Sequence, residues 1–241
     1  MSAFRPLVGV TLRSLLGRRR LLLMVLLVGL PVALALLVRL GGGRPDASGI
    51  LDNLVVRIVL PLVAVVLGTA AVGSEIDDGT IVYLLVKPIA RRWIVLAMAF
   101  VSAGLTIALV VPAVVLTGLL TSGLGSTSVN TALAFAAACA LGGIAYSTAF
   151  LALSTVTSRA LVIGLAYTLI WEGVIAGLLE GTRFLSIRQA TLGIAAALGG
   201  KRPGLQPLEP TISVVIVVVV TLGALAIATR QLSRFEVRGG D

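Results

Sequence analysis

Carboxylates are the side chains in this sequence best placed to do chemistry. Glu75, Asp77 and Asp78 crowd together ahead of Gly79, and Glu172 stands beside Trp171 inside a long apolar run. Clustered carboxylates closed by a glycine can hold Mg²⁺ at a membrane surface, as an enzyme acting on lipid diphosphates would need. Here Gly79 runs into Thr80-Ile81-Val82-Tyr83 with no second acidic cluster behind it, which makes that reading the weaker one. A charge inside a membrane span costs about 2.5–3.5 kcal/mol on insertion scales, so it faces a partner, a cavity or a transport path. Arg57, in another apolar run, is the expected partner of Glu172. The two are candidates for a substrate pathway or gate, with a structural ion pair as the competing reading. An ion-coupled transporter working through Glu172 is a further alternative.

Other chemistries lack their residues. Histidine is absent, which removes the commonest proton shuttle and metal ligand. No G-x-S-x-G elbow occurs, and without histidine a Ser or Cys nucleophile has no usual base. Cys139 is the single cysteine, so neither an internal disulfide nor a C-x-x-C metal pattern can form. Gly200-Lys201 is followed by Arg202 and lacks the upstream glycine of a P-loop, so no nucleotide-cradling loop of that kind is present. We therefore expect no catalytic residue, no resident metal and no cofactor in this chain.

The elements that must position these groups are membrane spans. The chain is 58% hydrophobic and 12% charged, with a mean hydropathy of +1.12. That is too few charges to coat a soluble domain of 241 residues. The net charge of +9 sits in short basic clusters between apolar runs, the pattern of membrane loops rather than of a nucleic-acid surface. About 20 apolar residues cross the hydrocarbon core. Six segments qualify, at 21–40, 54–73, 93–120, 131–153, 160–179 and 211–229. The first has no cleavage site of the signal-peptide kind after it and is read as a retained span. Pro31, Pro61 and Pro112 are tolerable within spans and predict tilts or kinks. With both termini in the cytoplasm, the inner loops hold most of the 19 basic residues.

Three stretches outside the spans have shape of their own within a single domain, 1–241. Residues 1–20 place Phe4, Leu7, Val8, Leu12, Leu15 and Leu16 at helical spacing, an amphipathic leader for the inner leaflet. In 74–92, Asp78 is a cap candidate for a short cytoplasmic helix over 80–86 that Pro88 would end. Residues 182–210 carry a partly apolar face and then Gly199, Gly200, Pro203, Pro207 and Pro210, which predicts a re-entrant or interfacial helix at the outer mouth.

The inner loop after the second span carries a resemblance. Ser74-Glu75-Ile-Asp-Asp-Gly79-Thr80, then Leu84-Leu85, then Lys87-Pro88-Ile-Ala-Arg91 resembles the E-x-x-x-G-T…L-L…P-x-S-R signature of type-2 ABC transporter permeases. The order of leader, six spans and extended outer segment is similar to theirs as well. Ala90 departs from the small hydroxyl expected before Arg91, and Ala97-Met98 from a Gly-Lys pair. The resemblance implies a permease subunit, most readily an exporter, in a bacterial cell membrane. It implies a partner permease, either a second copy or a paralogue, and separate ATPase subunits that carry the ATP and Mg²⁺. It assigns Glu75, Asp77, Asp78, Gly79, Thr80, Leu84, Leu85, Pro88 and Arg91 to the loop that couples the two. Gly173, Gly177 and Gly181 give two overlapping G-x-x-x-G steps in the fifth span, a dimer face or ordinary packing.

Overall fold

The computed structural model describes residues 4–15, 17–41, 47–77, 91–122, 126–175, 180–199 and 208–234, and every regular element among them is helical. Helix α1 is Phe4–Leu15 and α2 is Arg18–Leu40. Helix α3 starts at Ala47–Ile50, is wound as a π-helix over Leu51–Val59, and returns to α geometry over Leu60–Asp77. Helices α4 (Arg91–Ser122) and α5 (Ser126–Val156) follow. Helix α6 is α-helical over Ala160–Ala166 and π-wound over Tyr167–Ile175. A 3-10 turn at Glu180–Leu185 leads to α7 (Ile187–Ala197), and α8 (Pro210–Arg234) closes the bundle.

Among the described residues, five helices are long and apolar enough to cross a bilayer: Arg20–Leu40, Ala47–Val72, Arg91–Thr121, Val129–Val156 and Pro210–Ser233. The segment expected as the fifth of six spans is a shorter apolar helix, Ala160–Val174. At 1.5 Å per residue it covers roughly 23 Å, less than the ~30 Å of hydrocarbon. Residues 176–179 lie outside the described set.

Helix α5 is the hub, packed against α3, α4, α7 and α8. Its alanines, among them Ala132, Ala138 and Ala145, are buried and let the neighbouring backbones come close. Gly68 of α3 sits in one of these close crossings. A Cβ there would lie 2.8 Å from the Ser147 carbonyl oxygen and 3.0 Å from Phe150 Cβ. Phe150 also meets Tyr167 edge-on at 6.3 Å between ring centroids, which joins α5 to α6. Buried hydroxyls bond back to the preceding turn, as Thr106 does to the Ser102 carbonyl at 2.9 Å, while Thr106 Oγ1 also meets Ser147 Oγ across the α4–α5 contact at 3.0 Å.

The proline pattern explains part of the π winding. Pro61 has no N–H to give to the turn before it, and the π stretch of α3 ends just upstream of it. Pro31 and Pro112 lie inside α2 and α4, as expected.

The two ends of the bundle are fixed by long-range contacts. At one end Arg39 of α2 donates to the Leu120 carbonyl of α4 at 2.9 Å. At the other, Arg91 at the start of α4 donates to the Leu232 carbonyl near the end of α8 at 3.0 Å. Helix α1 occupies the expected leader position and packs on α4 and α3, with Leu15 buried. Helix α3 runs further than the expected span end at 73, so Glu75 and Asp77 fall in its last turn. Acids there oppose the helix dipole by about 0.3–1 kcal/mol each. The expected helix over 80–86 and its cap Asp78 lie outside the described residues.

Replacing Gly68 by alanine therefore forces α3 and α5 apart and destabilises the bundle by about 1–3 kcal/mol. Gly104, with nothing within 4 Å of a Cβ, is the control. Alanine there holds or raises stability by up to about 1 kcal/mol. Thermal unfolding of the two variants in detergent checks the contrast, and equal melting temperatures would refute the close-crossing account.

Candidate functional site

Polar groups gather where the π-wound stretches of α3 and α6 meet the start of α7. Glu172 is the centre of this cluster and is fully buried. Tyr167 Oη donates to its Oε1 at 2.9 Å, and Ser186 Oγ donates to Oε2 at 2.5 Å. The Ile187 backbone N–H donates to Oε1 at 3.0 Å, with the Arg188 N–H at the long limit of 3.5 Å. Ser186 is also the N-cap of α7, where its Oγ accepts the Gln189 N–H at 3.1 Å. A carboxylate at a helix N-terminus takes up orphan N–H groups and meets the positive end of the dipole. Glu172 thus does for α7, from another helix, what an N-terminal acid usually does within its own.

The π winding makes this reach possible. Tyr167 and Glu172 are five residues apart, the hydrogen-bonding interval of a π-helix, and so lie on one face. In an α-helix the same pair would diverge by more than a third of a turn.

A second tie fastens α7 to α3. Arg188 Nη2 meets Asp52 Oδ1 at 3.0 Å, with the two side chains 7% and 14% exposed. A third joins α3 to α6, where the Arg57 guanidinium donates to the Gly173 carbonyl. Between α3 and α6 lies a cleft of about 340 Å³, lined by Arg57, Asn53, Leu62, Thr168, Leu169 and Val174 among others.

The expected Arg57–Glu172 ion pair does not form. Both carboxylate oxygens of Glu172 are taken by the α7 cap, and Arg57 reaches the carbonyl of the next residue instead. Asp52 and Arg188 form the ion pair in this cluster, and neither drew attention in the sequence. Ser186 had a legible signal, an S-x-x-Q spacing to Gln189 of the capping-box kind. Tyr167 is a further partner of Glu172, through its hydroxyl.

The expected coupling residues are only partly placed. The backbone of Glu75 and Asp77 ends α3, and Arg91 opens α4 with its bond to Leu232. Asp78, Gly79, Thr80, Leu84, Leu85 and Pro88 lie outside the described residues. Of the two G-x-x-x-G steps, Gly177 is also outside them. A Cβ on Gly173 would meet only its own helix, at the Thr168 carbonyl. Among the described residues no three metal-ligating side chains gather.

These features define a class: an all-helical, multi-pass membrane protein whose buried charges are held by other helices rather than arrayed around a reactive centre. The family model described as ABC-2 family transporter protein matches residues 16–177, well over half of the chain, and the chain belongs to that family. A search of curated proteins returned no match.

Two outcomes follow for stability. Glu172→Ala strands a buried hydroxyl and the first N–H groups of α7, at about 1–3 kcal/mol for each group left unpaired. Glu172→Gln keeps an acceptor and loses less. Circular-dichroism melts rank them, and an alanine variant as stable as wild type would mean that the cap holds nothing. Arg188→Leu alone takes the guanidinium away from Asp52 and costs up to about 3–5 kcal/mol, whereas the Asp52→Leu/Arg188→Leu double variant regains much of that. A double variant no better than the single would show that the pair is not an isolated unit.

Proposed function

We propose that this chain is the membrane-spanning subunit of an ABC exporter in a bacterial cell membrane. It crosses the bilayer six times with both termini cytoplasmic, the segment 160–179 that contains α6 counting as the fifth crossing. It pairs with a second permease, a copy or a paralogue, and is driven by separate ATPase subunits that bind the ATP and Mg²⁺. The observation that carries this reading is the family match over 16–177, which contains the whole loop from Glu75 to Arg91.

The physics of that loop supports a coupling role. Glu75 and Asp77 are left at the unfavourable end of α3, where basic residues of a partner would relieve them. Helix α3 is one continuous rod from these acids to Asp52 and Arg57 in the cluster around Glu172. Displacing one end of such a rod displaces the other. Nucleotide-driven motion at the loop would then bias the α3–α6–α7 cluster between two arrangements, and the path for substrate runs along α3 and α6. No catalytic side chain is required, since transport here is a shift between states with different ligand affinities. Helix α1 lies on the inner leaflet and α7 sits at the outer mouth.

The test is association and energy coupling. Tagged chain purified in mild detergent should bring down a P-loop ATPase encoded by its source, and Asp78→Ala should weaken that association while leaving membrane insertion intact. Transport in vesicles should require ATP. A chain that purifies without any ATPase and transports irrespective of ATP would overturn the reading.

A further inference from the structure

Two arginines sit at the same end of the bundle, and only one of them is neutralised by contact. Arg188 has Asp52 at 3.0 Å. Arg57 has, among the described residues, one hydrogen-bond acceptor, the Gly173 carbonyl, and no carboxylate within ion-pair distance. Glu172 is turned away, with both oxygens engaged by Ser186, Tyr167 and the start of α7. Among the described residues, then, the charge that reaches the α3–α6 cleft is positive.

A guanidinium has five N–H donors in a planar fork, which suits a phosphate or carboxylate, and Arg57 spends one on Gly173. Asn53 and Thr168 stand beside it in the lining, while Leu62, Leu169 and Val174 make the rest of the wall apolar. The cleft, at about 340 Å³, lies in the lower part of the size range of small-molecule sites. Leu169 and Val174 are 59% and 52% exposed, so the cleft opens on the face that the bundle turns outward. Arg57 lies ten residues after Ala47, inside the apolar helix Ala47–Val72 that is long enough to cross a bilayer. An amphiphile lying in the bilayer can reach such a point with a charged group and leave its chain against the apolar wall. A strongly hydrated anion arriving from water would have to shed its hydration first.

We infer that the cleft between α3 and α6 binds an anionic, lipid-like amphiphile, with Arg57 as the counter-charge for its phosphate or carboxylate head. This names the substrate class of the proposed transporter and rests on that reading for its meaning as cargo; the binding itself does not.

The test uses the full chain in phosphatidylcholine nanodiscs, with no ATPase present, titrated with monododecyl phosphate. Wild type should bind it and should not bind dodecyltrimethylammonium. Inorganic phosphate should bind far more weakly, because it lacks the tail. Arg57→Gln should weaken binding of monododecyl phosphate by about tenfold or more, the scale of one lost hydrogen bond to a charged group. Leu169→Trp, which fills the cleft from its exposed rim and leaves the cluster intact, should do the same and covers the case of an Arg57 variant that fails to fold. Equal binding of phosphate and dodecyl phosphate overturns the inference. So does affinity unchanged in the Leu169→Trp variant. A shift from dimer to monomer in Arg57→Gln with amphiphile binding unaltered also overturns it, and gives the cleft to a second copy. Loss of ATPase association with amphiphile binding intact counts against the transporter reading alone.

Discussion

A carboxylate buried at membrane depth must be solvated by something, and for Glu172 that something is the start of another helix. Two hydroxyls and the Ile187 N–H surround it. In hydrocarbon an unmet backbone N–H costs several kcal/mol and an unmet charge far more. Each therefore satisfies the other, and neither α7 nor the polar end of α6 is comfortable alone. The position of α7 follows: with its first turn held by Glu172, its next residues are driven against α5. There Gly142 leaves the space that Thr191 occupies, and beyond it Gly193 makes room for Ser213 of α8. One ion–dipole contact thus sets how α5, α6, α7 and α8 meet.

The π winding serves the same contact from the other side. A π turn keeps every backbone group paired within its segment, as a bilayer demands, while changing which side chains share a face. In α6 it brings Tyr167 beside Glu172. In α3 it precedes Pro61 and carries Asp52 and Arg57, which tie α3 to α7 and α6 in turn. Both irregular stretches occur where charged groups must be matched, and the regular remainder of α3 packs on α5 through valines, leucines and Gly68.

Composition and hydropathy made the all-helical membrane character legible, because the bilayer leaves helices few alternatives and they need long apolar runs. They also exposed Glu172 and Arg57, since a charge in such a run is conspicuous. What could not be read was the partner of each. Pairing depends on the rotation of each helix about its axis, and the π turns alter that rotation by amounts no α-helical wheel contains. Arg57 and Glu172 matched in sign and depth, yet the wheel that matched them assumed regular winding. Asp52 was hidden for a simpler reason: it lies at the edge of its apolar run, where a charge draws no notice. The segment over 160–179 had the composition of a full span, whereas its described helix is short and half π-wound.

The distribution of charge between the two ends carries the last step. At the end that holds Glu172, this carboxylate is buried and met by Ser186, Tyr167 and the Ile187 N–H, and Asp52 is paired with Arg188. At the opposite end, Glu75 and Asp77 close α3 in the last turn, where the dipole disfavours them. Helix α3 runs unbroken from those acids to a first end held by the polar contacts of Asp52 and Arg57. Those contacts reach α6 through Gly173 and α7 through Arg188. The tie from Arg57 to Gly173 joins the two walls of the cleft, and the close approach of Gly68 to Ser147 lies on α3 between that cleft and the acidic end.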